Sequence, residues 1–355
     1  MTSASPVGLS PLEIASGTVL GFTPPRREPL AAEGRSPLRP PREALEQALL
    51  PALLRPPCLM SFSGGRGSSV VLALAVELAR KRGLELPVPV TRRFARRSGV
   101  QETTCQERLI VRLGLTEWLR LEFDDELDVV GPVATAALRR QGTLWPAHAH
   151  SWIPLIEWAS GGSLLTGVGG NAVAEPALRS NDIQPLPWLA SAAEAEVRSR
   201  WIGDAALRRQ AARRQTGWWL RLRQSELALD LLRRLAREQR VLLCHPLIDP
   251  AFTAALAPLT GARRSLAGLL DDVVPAEVLG PPIRRSSTTA LWGSHSLRLA
   301  AGWHGDGVDP TLVDVERLRR EWSRPRPDPR TFLLLQSVAV ARRSSASTAE
   351  ASARG

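Results

Sequence analysis

Two short apolar runs each break on a glycine cluster, and this pairing limits the fold more than any other feature of the chain. "CLMSFSGGRGSS" spans Cys58–Ser69 and "SLLTGVGG" spans Ser163–Gly170. A short apolar run bounded by turn residues reads as a buried strand. "SSVVLALAVELARKRG" follows the first run, with good helix formers and Gly83 as a stop. Strand, glycine turn and helix in succession form the unit of a helix-covered parallel sheet. The same alternation recurs along the chain. "LPVPVT" predicts a second strand, "TTCQERLIVRLGL" an amphipathic helix, "EWLRLEF" a strand and "LDVVGPVATAALRRQG" a helix. Beyond Pro185 the pattern is mainly helical, clearest in "WWLRLRQSELALDLLRRLAREQR". The predicted class is α/β: a parallel sheet with helices on both faces and a mainly helical C-terminal part.

Residues 1–50 are rich in proline and arginine and predict an extension of loops, with a helix starting near Arg42. Within it, "LEIASGTVLGF" suggests a small hairpin around Ser16-Gly17. The main domain is expected over 51–335. The polar, low-complexity tail 343–355 is expected to be disordered. No apolar run approaches the ~18 residues of a membrane span. No secretory signal is visible at the N-terminus. The cysteines Cys58, Cys105 and Cys244 have neither metal-ligand nor disulfide spacing, which predicts a cytoplasmic protein. The net charge is +11, with Lys81 the single lysine and no tyrosine. The arginines are scattered rather than gathered on one arm or face. This favours compositional drift over a nucleic-acid surface.

In a parallel sheet, ligands sit outside the carboxyl ends of the strands, where both glycine turns fall. Gly64 and Gly65 let the backbone approach a ligand closely. Ser68 and Ser69 open the following helix, and its free N–H groups and dipole suit an anion. The turn "TGVGGN" offers the same from a neighbouring strand.

"SFSGGRGSS" resembles the pyrophosphate loop of the asparagine synthetase family, whose usual form is Ser-Gly-Gly-x-Asp-Ser. "LLTGVGGNAVAE" looks like that family's second motif, a Thr/Ser-Gly-x-Gly-x-Asp-Glu turn. "VLLCHPLIDPAFTAAL" is similar to its Val-Arg-x-Pro-Phe-Leu-Asp segment, and "LDDVVPAEVLGPPIRRSS" to its late Leu-Pro-x-x-(Ile/Val)-Leu-x-Arg-x-Lys stretch. The four segments run in the family's order across about residues 56–290. The resemblance implies a HUP-type sheet and an ATP-dependent, AMP-forming carbon–nitrogen ligase. Such an enzyme adenylates a small-molecule or peptide carboxylate, which an amine then captures as an amide. It implies ATP and pyrophosphate contacts from Ser63, Gly64, Gly65, Arg66, Gly67, Ser68, Ser69, Gly167, Gly169, Gly170 and Asn171, with Arg284 in the place of the late catalytic lysine.

The chain departs from that pattern at the metal. The two magnesium-holding aspartates correspond to Gly67 and Asn171, and the neighbouring glutamates to Ala172 and Val168. Magnesium prefers hard anionic oxygens, so Mg2+ is a family expectation that this donor set serves poorly, and no metal ligand is assigned. Arg284 keeps the charge of a lysine in a planar fork. Lys81 cannot replace that lysine, because it lies about 20 Å beyond the loop along the same helix. Thr2 stands where a glutaminase half would carry its cysteine, and the stretch before the loop is too short for that half. Two functions follow: a weakened or inactive amide ligase, or a non-catalytic relative serving as a binding or scaffold subunit for a partner protein. A third, RNA modification, has no appended RNA-binding module behind it.

Other candidates have plainer readings. His148 and His150 in "WPAHAHSW" lack a third metal ligand and read as packed or hydrogen-bonded histidines. Asp124 and Asp125 in "EFDDELD" read as acidic capping rather than replacement metal ligands. Trp218 and Trp219 read as core or interface, and Asp249 as a helix or turn cap.

Overall fold

The computed structural model describes residues 8–22, 39–94, 100–170, 183–214, 218–259 and 287–353. Five parallel strands form one sheet: β1 (Cys58–Ser61), β2 (Val88–Phe94), β3 (Leu119–Phe123), β4 (Ser163–Thr166) and β5 (Leu242–Cys244), in the order β3-β2-β1-β4-β5. The chain moves outward from β1 through β2 to β3, then returns to lay β4 on the other side of β1. The reversal of strand order therefore falls between β1 and β4, which pair in register from Cys58↔Ser163 to Ser61↔Thr166. The α/β class and all-parallel sheet match the sequence reading and the strand order of a HUP-type fold.

Alternation along the strands sends successive side chains to opposite faces. Cys58, Met60, Phe62 and Leu165 enter one core with α2 (Pro41–Leu53), α3 (Arg66–Arg82) and α4 (Val100–Arg112). Leu59, Val90 and Leu164 enter a second core with α5 (Pro132–Gln141) and α6 (Ile153–Trp158). Covering on both faces is what the near-continuous apolar runs of β1 and β4 require.

A third core is tryptophan-rich and belongs to the C-terminal part. It joins α1 (Pro11–Ser16) to α7 (Ser191–Arg214), α10 (Ser294–Ala301), α11 (Val315–Trp322) and α12 (Phe332–Ala353). The remaining helices, α8 (Arg223–Glu238) and α9 (Pro250–Leu256), pack against the sheet. Trp303 and Trp322 meet edge to face at 4.7 Å, and Trp292 stacks on Phe332 at 5.6 Å. The Trp188 indole N–H donates to the Ala15 carbonyl at 2.8 Å, tying α1 to this module.

Four expectations are corrected. The hairpin expected in "LEIASGTVLGF" is helix α1. Ser10 Oγ accepts from the Glu13 N–H, Glu13 returns a carboxylate to the Ser10 N–H, and Pro11 opens the helix. The residues were visible in "SPLE", and the capping box outweighs the turn signal at Ser16-Gly17. The N-terminal stretch is therefore not a separate extension where it is described, since Leu12, Ala15, Leu45 and Leu49 are core residues. The tail expected to be disordered continues α12 as helix to Ala353. Its alanine, arginine and glutamate are strong helix formers, which the polar composition masked. The helix expected from Leu127 begins only at Pro132, after Gly131.

Candidate functional site

The α3 N-terminus and the second glycine turn meet at the carboxyl ends of β1 and β4. Ser63 is exposed, and the chain then turns through Gly64, whose φ of 78° lies in the left-handed region. Gly65 caps α3, and Ser69 N–H donates to its carbonyl at 2.9 Å. Ser68 is spent on the loop itself, since its hydroxyl donates to the Gly65 carbonyl at 3.0 Å and accepts from Ser63 N–H at 3.3 Å. Ser69 is buried beneath. The Ser68 hydroxyl, expected to face an anion, therefore shapes the loop, and Ser69 is not exposed to one. What remains for a ligand is the backbone of Arg66–Ser68, whose N–H groups have no acceptor among the described residues.

Thr166 ends β4, and its hydroxyl accepts the Val168 N–H at 3.3 Å. Gly170 N–H closes the turn on the Gly167 carbonyl at 3.1 Å. This turn lies directly on the start of α3. A methyl group added at Gly67 would sit 2.9 Å from both the Gly167 oxygen and the Gly170 Cα. One added at Gly170 would sit 2.6 Å from the Gly67 Cα, and one at Gly167 2.6 Å from the Ser68 nitrogen. Three glycines thus let two backbones touch where any side chain would separate them.

The third resembling segment reaches the same point. Leu247 Cδ1 lies 3.4 Å from the methyl positions built on Gly67 and Gly170, and Ile248 and the Trp219 ring close over Gly169. Trp219 sits in a one-turn 3₁₀ segment, Trp218–Arg221, rather than on the following helix. Three of the four segments therefore converge. Asn171, Ala172, Arg284 and the fourth segment lie outside the described residues.

His245, at the end of β5, places Nδ1 2.6 Å from Thr166 Oγ1, while its Nε2 is buried with no partner among the described residues. Burial, reinforced by Arg233, lowers its pKa to about 4, so the ring is neutral at neutral pH. The sequence reading passed over His245, although it lies inside the third segment. It also passed over Arg93, at the end of β2.

These residues do not fit magnesium. Gly67 has no side-chain oxygen to offer, and the direction a side chain would take is filled by the second turn. Two acidic candidates named from the sequence, Asp125 and Asp249, are occupied. Asp125 Oδ1 accepts the Ser294 N–H at 3.2 Å, and Asp249 accepts from Ala251 and Phe252 at the start of α9. No cluster of three or more potential metal-holding His, Cys, Asp or Glu residues occurs among the described residues. Capping was the reading given to these aspartates, but Asp125 caps a distant helix, α10, and not its own segment. It does so beside Asp128, which the sequence reading missed. Asp128 is 1% exposed and accepts from Val130 N–H, Gly293 N–H, Ser296 N–H and Ser296 Oγ.

The histidines are packed as expected. His150 is fully buried with Nδ1 3.1 Å from the Ala147 carbonyl oxygen and Nε2 3.0 Å from that of Leu127. Burial depresses both, His148 to about 4 with help from Arg92 and His150. Lys81 pairs with Glu77 at 2.5 Å near the far end of α3. No helix among the described residues is long and apolar enough to cross a membrane.

No family model matches the chain. No curated protein matches it either.

Proposed function

We propose that this chain is a relative of the asparagine-synthetase-like amide ligases that keeps a site for a nucleotide's phosphates and carries out adenylation very slowly or not at all. The observation that carries this reading is the contact between Gly67 and the Gly167–Gly170 turn at the strand-order reversal. Ligands of open α/β sheets bind at that reversal, and free N–H groups at a helix start favour an anion. Three segments that resemble the family's motifs meet there, in keeping with a common descent of the site.

The chemistry argues for low turnover. Pyrophosphate departure builds charge on the phosphates, and removing a single oxyanion donor already costs about 10²–10³ in rate. Here the position of one metal-holding aspartate is glycine and that of the other is asparagine. Binding has other support, because backbone N–H groups and arginine still neutralise phosphate. The substrates of a residual reaction would be a small-molecule or peptide carboxylate and an amine donor. The commitment of Asp125 and Asp249 to helix caps favours the second reading, a non-catalytic binding or scaffold subunit. Burial raises the Cys58 and Cys244 thiols to about 11, so both stay protonated at neutral pH.

The test is ATP binding by calorimetry with and without magnesium, beside AMP and pyrophosphate release with a panel of carboxylates. Binding with negligible release is expected. Release at ordinary enzymatic rates would overturn the low-turnover reading, and absence of any ATP binding would overturn the site itself.

A further inference from the structure

No group of residues that could hold a metal occurs among the described residues, yet an arginine without a carboxylate partner among them lies one strand away from the first turn. Arg93 lies at the carboxyl end of β2, one strand from the first glycine turn. Phe62, the residue before Ser63, donates its N–H to the Val90 carbonyl at 2.8 Å, and Thr91 Oγ1 donates to the Phe62 carbonyl at 2.6 Å. Trp118 donates its indole N–H to Thr91 Oγ1 at 3.0 Å and meets the Phe62 ring edge to face at 6.5 Å. The Arg93 guanidinium lies 5.6 Å over that same indole. Thr91 and Arg93 are two residues apart and so share a face of the sheet. Phe62 and Trp118 place that face in the core beneath α3. Arg93 is thereby fixed over Trp118 on the same face of the sheet as Thr91, on the strand next to the one that ends in the first turn.

Its charge is unmatched. Nε and Nη2 are shielded from solvent and have no hydrogen-bond partner among the described residues. Glu122 is its register partner on β3, but no carboxylate among the described residues lies within ion-pairing distance of Arg93. Arg120 lies 4.8 Å over the same indole, so two guanidiniums share one ring. Its neighbour Arg92 differs, since it donates to the Ser151 carbonyl at 2.9 Å and to Ser151 Oγ at 2.6 Å on the opposite face. Buried donors normally have acceptors, and an arginine left with two bare N–H groups is matched by an anion with several oxygens.

We propose that Arg93 is an anion-binding residue of this site, holding a phosphate or pyrophosphate group at the first glycine turn without a divalent metal. This rests on the phosphate-site reading above and names the charge that replaces magnesium there. An arginine fork supplies directed donors to two phosphate oxygens, which a lysine cannot reproduce.

The probe is inorganic pyrophosphate, titrated calorimetrically into the full chain in EDTA and again in magnesium, with ATP and AMP as parallel arms. The wild type is expected to bind pyrophosphate and ATP in EDTA, with less than about a threefold change on adding magnesium, and AMP more weakly. Loss of a charge-assisted pair predicts that Arg93→Gln binds about tenfold to a hundredfold more weakly. Arg93→Lys should fall between, and Lys81→Gln, which removes one positive charge far along α3, should stay within about twofold. Thermal melts establish that each variant folds, and Arg93→Lys decides the matter if Arg93→Gln does not. Wild-type affinity in the folded Arg93 variants, or pyrophosphate binding by the wild type only with magnesium, overturns the Arg93 assignment and leaves the phosphate site standing. No binding of pyrophosphate or ATP under either condition overturns both.

Discussion

At Gly67 a single missing side chain does two jobs. It admits the second turn to backbone contact, and under the proposed kinship it stands where that family carries a metal-holding aspartate. Gly67→Ala should therefore destabilise the protein by about 1–3 kcal/mol, the usual cost of overpacking. Gly67→Asp should do at least as much, so restoring the aspartate does not by itself rebuild a magnesium site. Urea denaturation checks both, and an unchanged midpoint would show that the turns separate freely. The histidines supply a pH dependence. His148 and His245 have folded pKa values near 4 against an ordinary value of about 6.5, so the unfolded chain binds more protons between those limits. Stability is therefore fully present above about pH 6.5 and falls as pH drops towards 4, by up to about 1.4 kcal/mol per depressed unit. His148→Gln should flatten part of that decline in urea midpoints. A wild-type midpoint flat from pH 7 to 4 would contradict the assignment. The glycines were legible as turn residues because nothing else explains paired glycines after apolar runs. Arg93 and His245 were not, because their importance lies in unmatched donors and buried atoms, and a sequence displays neither.

Among the elements, strands and helices of the sheet followed from periodicity, as in α3, whose apolar run and Gly83 stop fix both ends. Helices held from elsewhere in the chain did not. The start of α10 carries no side-chain cap of its own and is capped by Asp125 and Asp128 from the loop after β3, some 165 residues away. No local motif encodes such a cap. Asp128→Ala leaves four donors without their carboxylate and should cost roughly 3 kcal/mol or more, with α10 exchanging amide protons faster than the sheet. A loss below about 1 kcal/mol would show that water serves equally well. Helix α1 is the converse, with a local cap that was legible in "SPLE" and misread as turn. Ser10→Ala should lower stability by about 1 kcal/mol in chemical denaturation. The Arg223 side chain also reaches Glu13 and the Gly8 carbonyl, which ties the first helix to the start of α8.

Over the whole molecule, the sheet order places the two glycine turns side by side, and the tryptophan-rich module takes in α1. The alternation of strands and helices announced the sheet, while the pairing of β4 with β1 was an expectation carried by the turns alone. The charge of +11 is dispersed, with many arginines in short-range pairs such as Arg198–Glu194, Arg200–Glu196 and Arg317–Asp314. RNA binding, measured by filter retention, should be weak and lost steeply as salt rises; a salt-resistant, sequence-selective complex would show a built nucleic-acid surface. The central claim is that the two turns form one phosphate site. Amide hydrogen exchange with and without saturating ATP tests it most directly. Residues 63–69 and 166–170 should gain protection together, with the far end of α3 unchanged. ATP binding that protects only one turn, or neither, would contradict it.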